Sequence, residues 1–480
     1  MPPQPESRSV ARNAVARGVG EVVAKLASVV FFVAIARELG ADGFGDFMFA
    51  LSFTTLLLLA SGFGTEDLVA REVARDRSRL DDYLSNALAV KAVTSLALLG
   101  VAAAFVNVAG YSYDTRVAVY LVGAGVAVEN LGRTLGSIFQ ARERMELLSI
   151  SLIAQRVATA AAGLAVLAAG GGILEVSLVF LGGSLLGLAV AAFVLRRYVA
   201  RPRRAVDRSR WWPIVRAGAP IGLVTMVFSV LLRLDQVLLS FLSGGDNSEV
   251  GYYGAAFRLV EATMFISWSF AAAFLPWVAR REQEETQRLA DGYELALKAL
   301  CAVLVPIGVA FTVLAEPLIE LFYGDAYEAA VEPLRWLGVT TVFYGMNMLA
   351  STVLVARDRP LDFARVCAIV VVLNLALNLA LIPPLEATGA ALAAALSSVA
   401  LAVLGAVRIS SLTGRLNVLR AFAGPAAGGA VMAAIMLLVS LPLVAEAALG
   451  TAAYAVVLFL LERRLFPQDL ELARRVALQS

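Results

Sequence analysis

The chain has no histidine and only two cysteines among its 480 residues. The first absence removes the side chain most often used as a general base near neutral pH and as a transition-metal ligand. The second excludes a disulfide framework. Cys301 and Cys367 lie far apart in apolar runs, in no redox motif, and are expected to behave as buried small hydrophobes. Charge is scarce, at 16% of residues. No GxxxxGK[ST] loop occurs, and the polar segments are shorter than about 25 residues, too short to fold as a catalytic domain. No serine or cysteine stands in a nucleophile context, so neither an enzyme nor a metal site is expected. A basic groove with interleaved aromatics is also lacking, which argues against a nucleic-acid partner. The segment "MPPQPESRSVARNAVARG" has no short apolar core followed by a small-residue cleavage site. It is expected to be a polar cytoplasmic lead-in rather than a signal peptide.

What the chain has in abundance is apolar sequence: 60% hydrophobic residues and a mean hydropathy of +0.78. That places it among integral membrane proteins. About 20 residues of helix cross a hydrocarbon core, and about fourteen such runs are visible. They lie near 18–38, 46–64, 86–108, 116–139, 149–170, 174–195, 214–242, 250–279, 295–315, 334–355, 364–383, 387–407, 421–441 and 444–461. With an even count and the N-terminus inside, the proposed inner loops and ends carry 29 Lys and Arg and the outer loops three, Arg37, Arg116 and Arg335. Such a bias orients a multi-pass protein with both termini in the cytoplasm.

An internal repeat follows. "QARERMELLSISLIAQRVATAAAGLAVL" resembles "VARDRPLDFARVCAIVVVLNLALNLALI", and "ELGADGFGDFMFALSF" resembles "SGGDNSEVGYYGAAFRL", at offsets of 215 and 205 residues. Six spans per unit is an even number, so the halves are expected to be parallel repeats about an axis along the membrane normal. The expected organisation is an N-lobe at 1–197, a basic cytoplasmic linker at 198–212, a C-lobe at 213–410, and two further helices with a tail at 411–480. Trp211 and Trp212 would anchor the linker at the interface.

In this order and spacing, several stretches resemble the multidrug/oligosaccharidyl-lipid/polysaccharide exporter superfamily, in particular its prokaryotic polysaccharide flippase branch. They are "ARELGADGFGDF", "SGFGTEDLVAREVAR", "ARERME", "RAGAPIGL…RLDQVLLSFLSG…VGYYGAAFRL", "LIELFYGDAYEAAVEPLRWL" and "IPPLEATGAALAAA". The resemblance implies an all-α membrane protein with two six-helix lobes around a central cavity, in the cytoplasmic membrane of a prokaryote. It implies outward movement, without ATP hydrolysis by this chain, of a polyprenyl-diphosphate-linked oligosaccharide by alternating access. No cofactor is implied, although coupling to the membrane potential or to H⁺ or Na⁺ stays open. Membrane lipids are implied partners, and a glycan polymerase or other polysaccharide-assembly proteins are candidate ones. Two alternatives share the fold: a cation-coupled multidrug antiporter and a peptidoglycan-precursor (lipid II) flippase.

Ionisable residues inside the spans carry the site reading, because one charge in hydrocarbon costs roughly 2.5 kcal/mol or more. Arg233 and Asp235 on span 7 and Arg258 and Glu261 on span 8 flank the outer turn, taken near residue 246.5. Equal distance from an antiparallel turn means equal depth, so Asp235 is expected opposite Arg258, and Arg233 opposite Glu261. These pairs either lock the hairpin or place Arg258, with Arg233, towards a substrate anion. Relatives that flip the peptidoglycan precursor have essential basic residues on spans 1 and 8, and Arg258 corresponds to these by location alone. On span 1, Arg17, Glu21 and Lys25 share one face at i, i+4 and i+8. Lys25 is the candidate for the cavity, Glu21 bridges the two cations, and Arg17 is expected to snorkel to the inner surface. Lys91, Arg133, Arg156 and Arg216 lie near inner span ends and are expected to snorkel too, with Glu129 and Arg133 as a candidate cavity pair. Asn347, Asn374 and Asn378 are expected to join helices, and the small residues of "GGSLLG" and "GAPIG" to allow close packing.

Overall fold

A computed structural model describes residues 5–465 apart from 204, 245, 281–285, 415 and 440; the side chains of 5–22, 220, 221, 224 and 465 fall outside the described set. Helices make up nearly all of it, and no strand forms among the described residues. In order they are α1 (Pro5–Leu58), α2 (Thr65–Arg75), α3 (Leu80–Val108), α4 (Tyr113–Ala141), α5 (Met145–Ala168), α6 (Ile173–Tyr198), α7 (Trp211–Leu242), α8 (Ser248–Ala279), α9 (Thr286–Val313), α10 (Ala315–Tyr323), α11 (Val331–Ala356), α12 (Pro360–Thr413), α13 (Val418–Leu438) and α14 (Leu443–Leu465).

Two of these helices are double. α1 breaks at Gly40, whose φ of 68° and ψ of −176° suit a residue without Cβ, so its two arms carry the first two spans. α12 breaks at Glu386, with φ 50° and ψ −128°, just after Pro383 and Pro384. Each of these prolines removes a helical amide donor and crowds the preceding turn. Counting these arms, about fourteen long segments correspond to the expected spans. Among the described residues, ten helices, α12 among them, are long and apolar enough to cross a membrane. Large side chains stand exposed on such helices, Leu96 at 70% and Val372 at 68%, as suits faces turned towards lipid.

By packing, the chain falls into two compact units, Met1–Gly254 and Ala255–Ser480, so that α8 begins in one and ends in the other. The sequence repeat groups span 7 with the second half, whereas α7 packs in the first unit against α1, α2 and α3. Gly64 (φ 74°) makes this possible. A Cβ there would lie 2.4 Å from the Gly218 carbonyl oxygen, so the chain before α2 meets α7 backbone to backbone, at the small residues of "GAPIG". In "GGSLLG", Gly183 and Gly187 of α6 make room for α5 side chains: a Cβ on Gly183 would fall 1.8 Å from the Thr159 hydroxyl and one on Gly187 2.8 Å from the Gln155 amide oxygen.

Two short helices lie where loops were expected. α2 buries Leu68, and packs Val69 and Val73 into a core with Ile138, Phe139, Leu147, Val194 and Leu195. α10 buries Ala315, Ile319 and Tyr323, spaced by four residues. Both are amphipathic and far shorter than a span, so hydropathy on the span scale passes over them. The basic linker is strapped to the start of α3. The Arg203 and Asp207 amides donate to Asp81 (3.1 Å) and Asn86 (2.8 Å), and Asn86 donates to the Ala205 carbonyl (3.0 Å).

In the second unit Asn347 donates to the Ser398 carbonyl at 3.1 Å, and Asn374 reaches the Ser397 hydroxyl across the two arms of α12 at 3.1 Å. Asn347 and Asn374 thus join helical segments as expected, whereas Asn378 donates to Asn374 one turn back on its own helix. Cys301 and Cys367 are buried and free.

Candidate functional site

On α1, Arg17 and Glu21 lie outside the described side chains, so the bridging expected there has no structural counterpart to compare. Lys25 is partly buried, between the exposed Val23 and Leu26, and so occupies the less exposed side of its arm.

On α7, Asp235 is buried at 2% exposure and accepts from the Tyr253 hydroxyl at 3.2 Å. Tyr253 lies five residues nearer the turn than Arg258, on the first turns of α8. Arg233 is partly buried and its charge acts on the same Tyr253 hydroxyl. In the second unit, Arg258 is 11% exposed in its side chain and pairs with Glu261 at 2.5 Å, one helical turn on. The intrahelical partner was missed because the depth argument compares two helices and ignores the i, i+3 neighbour on the same one. The Arg258 charge also reaches the Tyr323 hydroxyl of α10, which donates to the Ala255 carbonyl at 3.1 Å.

A second polar cluster in the first unit gives no pattern in the sequence. Asp46 accepts from Thr115 of α4 at 2.6 Å and from Asn247, just before α8, at 2.7 Å. Asn247 accepts in turn from Ser240 of α7 at 2.6 Å, and Ser240 meets the Tyr111 hydroxyl at 3.1 Å. Two separate parts of the chain, α4 and the start of α8, thus donate to one carboxylate of α1. A Cβ on Gly45 would lie 1.7 Å from the Asn247 carbonyl oxygen, so the second arm of α1 and the start of α8 touch through main chain.

A third cluster corrects the snorkelling expected of Lys91. Its side chain is 4% exposed; the ammonium donates to Glu66 of α2 and to the Asn130 carbonyl at 3.2 Å. α2 supplies the carboxylate that lets the lysine stay buried, and the missed helix is the reason for the wrong expectation. The expected pair of Glu129 with Arg133 does not form. Glu129 pairs with Arg156 at 3.4 Å and accepts from Gln155 at 2.5 Å, whereas Arg133 donates to Asn130 and lies 3.8 Å from Glu66. Arg156 is accordingly ion-paired to α4, while Arg216 is exposed as expected. Among the described residues no group of His, Cys, Asp and Glu is arranged to hold a metal ion.

Paired or half-satisfied cations inside apolar helices suit recognition of an anion more than any chemistry of bond cleavage. Comparison with known proteins adds a family. The profile described as polysaccharide biosynthesis protein matches residues 10–282, and the MatE profile matches residues 220–380. The probable low-salt glycan biosynthesis flippase Agl15 of Haloferax volcanii is 23% identical over 393 residues, 80% of this chain and 79% of that protein. Among solved structures, the lipid II flippase MurJ in an inward closed conformation matches with a TM-score of 0.78 at 15% identity, over 94% of this chain and 99% of that one. An inward-facing multidrug resistance MATE family transporter matches at 0.66 and 18% identity, over 84% and 99%. At these identities the structural likenesses speak for the fold. Because the first profile spans more than half of its length, the chain belongs to the polysaccharide biosynthesis protein family, within the multidrug/oligosaccharidyl-lipid/polysaccharide exporter superfamily.

Proposed function

We propose that the protein is a flippase that carries a polyprenyl-diphosphate-linked oligosaccharide from the inner to the outer leaflet of a prokaryotic cytoplasmic membrane by alternating access. The observation that supports this most is the match of residues 10–282 to the polysaccharide biosynthesis profile. Membrane-embedded cations add chemistry to it: Lys25 in the first unit, and Arg258, 89% covered, in the second. A lipid-linked sugar has a polar, doubly phosphorylated head that cannot cross hydrocarbon and a tail that can stay in it. A carrier therefore needs fixed positive charge at the depth the head must pass.

On this reading the diphosphate is drawn by Lys25 and by Arg258 on its outward step, and its release leaves cationic positions empty. An inside-negative potential drives the anion outward by roughly 2.3 kcal/mol per charge per 100 mV crossed, and draws the emptied cationic site back. In proteoliposomes, flipping of a lipid-linked diphosphate is expected to accelerate under an imposed inside-negative potential. Lys25→Gln and Arg258→Gln are expected to abolish it while the protein remains folded. Unchanged flipping with both cations neutralised would refute their role.

The cation-coupled antiporter is the second reading, favoured by the MatE profile and by Asp46, a partly buried carboxylate in the first unit. It requires drug efflux that depends on an H⁺ or Na⁺ gradient and is lost in Asp46→Asn. Flipping that proceeds without either gradient decides against it.

A further inference from the structure

The Lys91 cluster plays no part in the reading above, yet it is built around a single carboxylate. Glu66 takes the Lys91 ammonium from α3 and faces the Arg133 guanidinium from α4. One contact is tight and the other loose, at 3.8 Å, and Arg133 keeps 55% of its side chain exposed. Neutralising buried Lys91 needs only one carboxylate, so Arg133 adds an open positive face that Glu66 satisfies poorly. Thr65, 1% exposed, has a hydroxyl with no hydrogen-bond partner. A Cβ on Gly62 would come within 2.9 Å of that hydroxyl and 2.8 Å of the Lys91 Cε, so both border the same glycine.

The carboxylate also stands just after an unusual turn. Gly62, Phe63 and Gly64, at φ 83°, 36° and 74°, form three consecutive left-handed residues ahead of α2. α2 has no side-chain cap at its first turn, where Glu66 and Asp67 stand side by side. Burial holds the Asp67 carboxyl above its usual range, with the Glu66 charge adding to the effect and Lys91 opposing it.

We infer that Lys91 and Arg133 form a second diphosphate-binding subsite of the transport route, in which Glu66 occupies the place of the phosphate until the ligand displaces it. A phosphate offers more acceptor oxygens and more charge than a carboxylate, and so spans both cations and the Thr65 hydroxyl where Glu66 engages only Lys91 closely. Lys91 and Arg133 lie near the ends of α3 and α4 that join the arginine-rich loops, at the side where the substrate is taken up. The inference rests on the flippase reading for its ligand, whose chemistry is a diphosphate, either lipid-anchored or free.

The test uses the full chain in detergent, with Lys25→Gln and Arg258→Gln already present so that the remaining affinity belongs to this cluster. Farnesyl diphosphate and inorganic pyrophosphate are titrated, with farnesol as control. Glu66→Gln, by removing the competing carboxylate, is expected to tighten diphosphate binding by about tenfold and to make the thermal midpoint respond more strongly to pyrophosphate. Arg133→Gln is expected to weaken binding by about tenfold. Unchanged or weaker binding in folded Glu66→Gln overturns the inference. Should that variant not fold, the exposed Arg133 still decides, since unchanged affinity in Arg133→Gln overturns it equally. A gain confined to farnesyl diphosphate assigns the lipid-anchored ligand, and an equal gain with pyrophosphate assigns the free one. Flipping is measured separately in chains that keep Lys25 and Arg258: flipping there with no change in diphosphate affinity sinks the subsite alone, and the expected binding pattern with no flipping by the unmodified chain sinks the flippase reading alone.

Discussion

Replacing Lys298 by Met tests how α14 is held to the second unit. Lys298 on α9 and Glu462 on α14 form an ion pair whose side chains are 10% and 13% exposed. One oxygen of Glu462 has no hydrogen-bond partner, and it faces Gly424 of α13, where a Cβ would lie 2.8 Å away. Lys298→Met keeps the stem volume but leaves the carboxylate covered and without its ammonium. Loss of one member of a buried pair costs about 3 kcal/mol or more, whereas replacing both by apolar groups is often close to neutral. The single variant is therefore expected to lower the thermal midpoint in detergent by several degrees, and Lys298→Met combined with Glu462→Leu to regain at least half of the loss. The Tyr454 hydroxyl, which donates to the Ala302 carbonyl at 3.0 Å, keeps α14 attached in both. Destabilisations that simply add in the double variant would refute the reasoning, because coupled partners must be non-additive.

Three further outcomes are expected. With Cys301 and Cys367 replaced by Ser, a cysteine at exposed Asp207 is expected to resist impermeant thiol reagents in intact cells and one at exposed Asp246 to react; the opposite pattern would invert the orientation inferred from charge. Glu261→Ala is expected to lower the thermal midpoint more than Glu261→Ala combined with Arg258→Ala, because the single variant leaves the covered Arg258 without that carboxylate, and destabilisations that simply add count against the pair. Asp362, hydrogen-bonded by Arg408 at 2.6 Å and flanked by Arg359 and Arg365, has its carboxyl held below the usual carboxylate range. A depressed carboxyl stabilises the fold above its unfolded pKa of about 3.9, and that contribution disappears as pH falls through the lower folded value. Arg408→Gln should thus lower the thermal midpoint at pH 7 and converge with the unmodified protein in acid; an equal gap at both would count against the assignment.

The membrane class, the number of long helical segments and the gaps at 39–45 and 384–386 were legible in the residue order. These follow from local quantities: the apolar length needed to cross a bilayer, the left-handed backbone at Gly40, and the missing amides of Pro383 and Pro384. The residue order also picked out Asn347 and Asn374 as joints between helices, because an amide in an apolar run must find a partner. Which charges meet was not legible in this way. Position along a span gives depth, but the partner depends on how each helix is rotated and on what packs beside it. Depth therefore placed Asp235 level with Arg258 but could not show Tyr253 donating to Asp235, nor Glu129 turning to Arg156 rather than Arg133. Lys91 shows the same limit most plainly. Its burial depends on a carboxylate carried by α2, a helix too short to register as a span and held in place by a core drawn from α2, α3, α4, α5 and α6.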